Sequence, residues 1–185
     1  MDIGLSLLLL ILLIPIFMTM LLLNPFLNRG KLFFVQKRMG RDCQPFYAIK
    51  FRSMKYIDRI TRSADDPIEH DRITRLGRFL RKTRIDELPQ VLNVLKGEMS
   101  LIGPRPDYYV HACAFKAAVP GYRERHVIRP GISGLAQVDL GYIEGTDATR
   151  GKVAKDLHYI HHAGFRQEFR VLVATLVTIV KMGGS

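Results

Sequence analysis

Arg81-Lys82-Thr83-Arg84-Ile85-Asp86-Glu87-Leu88-Pro89-Gln90 sets two adjacent carboxylates among cations and ends near a proline. Pro89 has no N–H to donate and is tolerated in a helix only in its first turn, so the helix continuing through Val91, Leu92 and Leu95 begins close to Asp86. Asp86 and Glu87 then sit where unpaired backbone N–H groups and the helix dipole favour negative charge, and Arg81, Lys82 and Arg84 act in the same direction. An ionised aspartate beside cations can attack phosphorus, because carboxylates form aspartyl-phosphate intermediates while the cations offset substrate charge. An isolated acidic pair in a first turn is common, and its plain reading is complementation of the dipole.

The segment runs on into Asn93-Val94-Leu95-Lys96-Gly97-Glu98-Met99-Ser100-Leu101-Ile102-Gly103-Pro104-Arg105-Pro106. With this context the chain resembles the bacterial sugar transferase family, the monotopic phosphoglycosyl transferases. Three further stretches match the same family: Lys50-Phe51-Arg52-Ser53-Met54, Arg129-Pro130-Gly131-Ile132-Ser133-Gly134-Leu135-Ala136-Gln137-Val138, and an apolar N-terminal segment with a central proline. The resemblance covers nearly the whole chain, and four ordered motifs are far more specific than any one alone.

The residues themselves outline the scaffold. Phe33-Phe34-Val35 and Phe46 to Met54 read as strands of a hairpin around Gly40-Arg41-Asp42, with Lys50 and Arg52 on one face of the second strand. Those two cations are either a solvated face or a phosphate-facing pair, and the resemblance favours the second role for Lys50. Tyr56 to Asp71, with Asp65-Asp66-Pro67, reads as a mobile loop. Arg72, Arg75, Arg78, Arg81 and Arg84 recur every third residue, which on an α-helix winds around the surface. Arg72 and Arg75 are expected at lipid headgroups, and Arg81, nearest the acids, at the substrate diphosphate. In Gly103-Pro104-Arg105-Pro106 two prolines fix the backbone around Arg105, which limits the entropy lost when it binds a phosphate. A helix after Tyr108 ends at Pro120-Gly121. Gly131 and Gly134 suggest a loop whose backbone closely approaches a ligand.

At 185 residues the chain is one domain plus appendages, and its formal charge of +11 calls for an anionic partner. There is no Trp, and the aromatics do not alternate with Lys and Arg as a single-strand stacking platform requires, so nucleic acid is not expected. Cys43 and Cys113 have no metal-ligand spacing and read as reduced thiols. Ile3 to Leu23 is uncharged and would extend roughly 31 Å as a helix, about one hydrocarbon thickness. Asp2 stands where a signal peptide would be basic, and Arg29 and Lys31 place the following domain on the cytoplasmic side. His158, His161 and His162 fall near one helical face, but phosphate chemistry with a carboxylate nucleophile calls for an oxygen-ligated ion. Phe165, Phe169, Leu172, Val173, Leu176 and Val180 form a helix expected on the core or the membrane surface.

The resemblance implies an α/β fold class: a compact, mainly helical, membrane-associated domain (29–185) with a small β-hairpin, preceded by a re-entrant hydrophobic helix (1–28). It implies transfer of a sugar 1-phosphate from a UDP-sugar to a polyprenol phosphate, on the cytoplasmic face of the bacterial inner membrane. Asp86 would be the nucleophile and the ligand of Mg²⁺, and Glu87 would place the metal or act as a base. Lys50, Arg81, Arg105, Arg129, Gln137, Asp156 and Tyr159 would contact substrate, the last two through an Asp-x-x-Tyr pattern. The family's re-entrant helix often carries Ser before its proline; here Ile14 precedes Pro15, so the freed carbonyl needs another partner, and an N-out span is the alternative. A basic, non-catalytic module binding anionic lipid or nucleic acid is the competing class of function.

Overall fold

The hairpin forms as its pattern predicts. β1 (Phe33–Met39) and β2 (Pro45–Phe51) pair antiparallel, Phe33 opposite Phe51 and Met39 opposite Pro45. Alternation turns Phe46 and Ala48 into the core and leaves Tyr47 outside. The computed structural model describes residues 2–57, 63, 66, 69–141 and 145–181. The acid-bearing loop of the sequence lies mostly outside them, Asp65 and Pro67 included.

Helix α2 (Arg75–Lys82) starts where Thr74 Oγ1 accepts the Gly77 N–H at 2.9 Å. Arg84 then takes a left-handed conformation, φ 59°, and turns the chain into a 3-10 segment, Ile85–Gln90, that leads directly into α3 (Val91–Leu95). The helical start expected at Asp86 is thus present, in the tighter 3-10 form. Asn93 fastens α3 to the hairpin, its amide donating to the Tyr47 carbonyl at 2.8 Å and accepting from the Ile49 N–H at 3.1 Å.

β3 (Ser100–Ile102) and β4 (Gly131–Ser133) pair in parallel, with α4 (Tyr109–Ala118) in the crossover between them. α5 (Leu135–Leu140), α6 (Thr146–His161) and α7 (Phe165–Val180) complete the domain. The glycines of the 129–138 segment serve this pairing: a Cβ on Gly131 would lie 2.1 Å from Gly103 N, and one on Gly134 would lie 2.3 Å from Gly103 O. The close approach expected to a ligand is made instead to the chain's own Pro-Arg-Pro turn.

Helix α1 (Asp2–Leu27) runs on past the expected Leu23 and contains both Pro15 and Pro25. Thr19 Oγ1 donates to the Pro15 carbonyl at 2.9 Å. One stripe, Ser6, Leu13, Met20 and Asn24, is buried on the domain, while Leu7, Leu8, Ile11, Leu12, Ile14, Leu22 and Phe26 are exposed. Both ends are fastened. Asp2 pairs with Arg129 at 3.5 Å, and at the far end Asn24 donates to the Gly30 carbonyl at 2.8 Å and Asn28 to the Arg52 carbonyl at 2.6 Å. α7 likewise buries Val171 and exposes Phe165, Phe169, Val173, Leu176 and Val180.

Gly131→Ala should cost about 1–3 kcal/mol, because overpacking at a backbone contact forces the β3–β4 pair apart. Gly151→Ala, in open space on α6, should be neutral or stabilise by about 0.5–1 kcal/mol. Unfolding midpoints in detergent check both.

Candidate active site

A cavity of about 510 Å³ opens between the hairpin, the 3-10 segment, the Pro-Arg-Pro turn and α6. Its centre is the acidic pair. Glu87 is buried and claimed from three sides: Lys50 Nζ at 2.5 Å on Oε1, Arg105 as a two-pronged partner with Nη1 at 2.9 Å on Oε2, and Arg84 Nη1 at 3.7 Å. Burial pushes its carboxyl up, but Arg105 and Lys50 outweigh this and hold it well below the usual range. A carboxylate so held is a poor base at neutral pH and an effective anchor for cations.

Asp86 differs. It lines the cavity, is buried, and makes no hydrogen bond or ion pair among the described residues. Burial, then repulsion from Glu87, raises its pKa to about 6 against the pull of Lys50, Arg81 and Arg105. The ionising influence expected from dipole and cations is therefore outweighed, first by burial and then by the negative charge of Glu87. Asp86 remains mainly ionised at neutral pH, with both oxygens free. Lys50 is itself lowered to about 8, first by burial and then against the attraction of Glu87.

Behind the Pro-Arg-Pro turn lies a second charged cluster. Arg125, fully buried, donates to the Arg105 carbonyl at 2.7 Å, to Asp107 Oδ2 at 2.7 Å and to Asp156 Oδ2 from Nε at 2.8 Å. Tyr122 donates to the same Asp107 oxygen at 2.8 Å, and Lys152 closes on Asp107 Oδ1. Burial opposes ionisation of Asp107, yet Lys152 and Arg125 hold it far below the usual carboxylate range. Asp107 and Lys152 reach the cavity wall, as do Tyr108, His111 and Thr149.

Of the residues singled out in the sequence, Lys50, Arg81, Asp86, Glu87, Arg105 and Gln137 are brought together around the cavity. With its amide oxygen turned inward, Gln137 accepts from Arg84 Nη2 at 3.3 Å. Three others lie elsewhere. Arg129 is at the start of α1, beside Asp2; Asp156 is buried behind Arg125; Tyr159 belongs to the hydrophobic core. Arg52, the strand neighbour of Lys50, turns away to the Asn28 carbonyl. Arg72 is not an exposed headgroup cation: it is held by Glu69 and donates to the Lys55 carbonyl at 3.0 Å. Sequence reasoning missed Asp107, Arg125, Lys152 and Arg38, which donates to the Pro106 carbonyl at 2.5 Å. On α6, Thr149, Val153 and Asp156 recur at helical spacing and mark the inward face that carries Asp156, but none of the four missed residues is among those buried on it.

The donor set suits Mg²⁺, which is commonly held by one or two carboxylates together with substrate phosphates. Asp86 offers the unbonded oxygens, and Glu87 is already committed to its cations.

Comparison with known proteins supplies the context for this arrangement. The family model described as bacterial sugar transferase matches residues 1–182. A UDP-N-acetylgalactosamine-undecaprenyl-phosphate N-acetylgalactosaminephosphotransferase of Aeromonas hydrophila is 40% identical over 96% of this chain and 43% of its own length. The exopolysaccharide production protein PSS of Rhizobium leguminosarum bv. phaseoli is 36% identical, over 98% of this chain and 94% of its own. A UDP-glucose:undecaprenyl-phosphate glucose-1-phosphate transferase of Escherichia coli K12 is 36% identical over 95% of this chain. This chain spans 38% of that protein, so it matches the Rhizobium protein almost end to end and the other two over less than half their length. A family match along nearly the whole chain, joined to an acidic pair ringed by cations in a cavity, places the chain in the bacterial sugar transferase family.

Proposed function

We propose that this chain transfers a sugar 1-phosphate from a UDP-sugar to a polyprenol phosphate, as the first membrane step of glycan assembly. The observation that carries the proposal is the division between the two acids: Glu87 gathers Lys50, Arg84 and Arg105, while Asp86 stands beside them unbonded. The names of the Aeromonas and Escherichia coli relatives supply the substrate classes, a UDP-sugar and undecaprenyl phosphate.

In the proposed sequence an Asp86 oxygen attacks the sugar-bearing phosphorus of the donor. A P–O bond to Asp86 forms, the bond to the inner phosphate breaks, and UMP departs with the electron pair. An oxygen of the lipid phosphate then attacks the same phosphorus, forming the lipid diphosphosugar and returning Asp86 as a carboxylate. Lys50, Arg81, Arg84 and Arg105 bind and orient the diphosphate, so charge is offset where it accumulates. Mg²⁺, held by Asp86 with the donor's phosphates, would neutralise further charge. Glu87 keeps the cations in place rather than moving a proton.

The membrane is met by the exposed apolar surfaces of α1 and α7, with the exposed Arg75 and Arg78 at the headgroups of anionic lipid. The contacts of Asp2 with Arg129 and of Asn28 with the Arg52 carbonyl support a reading in which the two ends of α1 lie on one side of the bilayer. We place that side in the cytoplasm, on the inner membrane.

Asp86→Asn should abolish UMP release from UDP-sugars without lowering the unfolding midpoint, since its ionised carboxylate is costly to bury. Substantial residual release by this variant would refute covalent catalysis, and no release by the native chain from any UDP-sugar would leave a lipid-binding module.

The pH dependence of the first half-reaction has a defined sign. With donor alone, kcat/KM should rise as Asp86 loses its proton near pH 6 and fall as Lys50 loses its charge near pH 8. Loss of the acidic limb in a variant that stays active would remove Asp86 as the titrating nucleophile.

Topology is open to a labelling test. A cysteine at position 2, in a variant lacking Cys43 and Cys113, should react with an impermeant thiol reagent only after the inner membrane is permeabilised. Labelling on intact cells would establish a span.

A further inference from the structure

The cavity has two charge regimes. Around the acidic pair, Lys50, Arg84 and Arg105 converge on Glu87, a cluster of cations that suits a diphosphate. Beyond the Pro-Arg-Pro turn the balance changes. There Asp107 and Asp156 are matched by Lys152 and Arg125, so this wall is compensated and suits a neutral, polar group.

Lys152 is the directional element of that wall. Its side chain is 14% exposed, it lines the cavity, and its single hydrogen-bond partner among the described residues is Asp107. An ammonium has three N–H donors, so two remain to be satisfied from the cavity side. Burial lowers the Lys152 pKa despite the attraction of Asp107, which is the signature of an ammonium short of solvent. Asp107 cannot swing away to follow a ligand, because Arg125 and Tyr122 hold its other oxygen. The ammonium is thereby held in place by Asp107, which lies two residues along the chain from the Arg105 that grips Glu87.

We propose that the Asp107–Lys152 wall reads the hydroxyl groups of the donor's sugar and sets which sugar is accepted. This rests on the proposed UDP-sugar reaction. Covalent connectivity selects the sugar over the nucleoside: the sugar is attached to the very phosphorus that Asp86 attacks, whereas the nucleoside is separated from it by a further phosphate. A neutral hydroxylated ring next to the attacked phosphorus is better matched by the charge-compensated wall of the same cavity than by its cationic centre. A buried hydrogen-bond donor discriminates strongly, since a sugar that fails to satisfy it leaves a charge unpaired.

The test uses the full chain in detergent or nanodiscs with UDP-glucose, UDP-galactose, UDP-N-acetylglucosamine and UDP-N-acetylgalactosamine. UMP release gives kcat/KM for each, and calorimetry gives the affinity of each donor and of UMP. Lys152→Met should lower kcat/KM and affinity for the preferred donor about tenfold or more, the loss of one charge-assisted hydrogen bond. The ratio between 4-epimers should collapse toward one, and UMP affinity should stay within about twofold. Lys152→Arg keeps the charge on Asp107 and should stay folded while still altering the ratio, so it decides the matter if Lys152→Met has a depressed unfolding midpoint. Unchanged ratios in the folded variants, or a parallel loss of UMP affinity, would overturn the proposal. If the native chain releases no UMP, the proposed reaction fails, and the calorimetric comparison of donor with UMP still judges the sugar wall.

Discussion

The structure turns on the ion cluster around Glu87. Three cations from different parts of the chain converge on it: Lys50 from β2, Arg84 from the left-handed turn after α2, and Arg105 from the Pro-Arg-Pro loop. Burying such charges is costly unless each is paired, and a carboxylate removed from the middle would leave three cations facing one another without solvent. Fold and site therefore share one residue. The 3-10 geometry adds the asymmetry between the acids: neighbouring residues project about 120° apart, and the ion pairs are made by Glu87 rather than Asp86. One acid is consumed by structure, and the other is left without an ion pair among the described residues.

That cluster is braced from behind. Arg125 donates to the carbonyl of Arg105, the residue that grips Glu87, and at the same time joins Asp107 to Asp156 on α6. Arg38 does the same from the hairpin by bonding the Pro106 carbonyl. Prolines supply no N–H, so the Pro-Arg-Pro turn can be held mainly through its carbonyls, and two buried or half-buried arginines take that role. Their guanidinium groups reach several acceptors at once with little freedom to lose, which a lysine could not match.

What was legible in the sequence was local. The hairpin follows from alternation, the start near Asp86 from Pro89, and the rigid Arg105 from its flanking prolines. Lys50 and Arg52 show the limit: they share a face by periodicity, yet one joins Glu87 and the other bonds the Asn28 carbonyl just past α1. Gly131 and Gly134 suggest close approach to a ligand from sequence alone, whereas the parallel pairing with β3 makes Gly103 what approaches. Arg125, Asp107 and Lys152 carried no local signature. Their partners are 15 to 45 residues apart, and an arginine in a basic stretch looks solvated until the acids that surround it are placed.

A run of stacked rings joins the apolar helix α1 to the cavity. Phe17 of α1 stacks on Phe33 with ring centroids 5.9 Å apart, and Phe33 stacks on Phe51 at 5.5 Å. Phe51 lines the cavity beside Phe34, Met54 and Tyr56, so an apolar path leads from the buried stripe of α1 to the cationic centre. A lipid phosphate keeps its head at the interface while its chain stays in hydrocarbon. On the proposed reaction, such an acceptor would need an opening that is apolar on the membrane side and cationic a few ångströms further in. The water-soluble donor makes the opposite demand, for a polar wall, which the cavity offers at Asp107 and Lys152. Two substrates of unlike solubility can then meet at Asp86 in turn, each arriving along the side whose surface matches it.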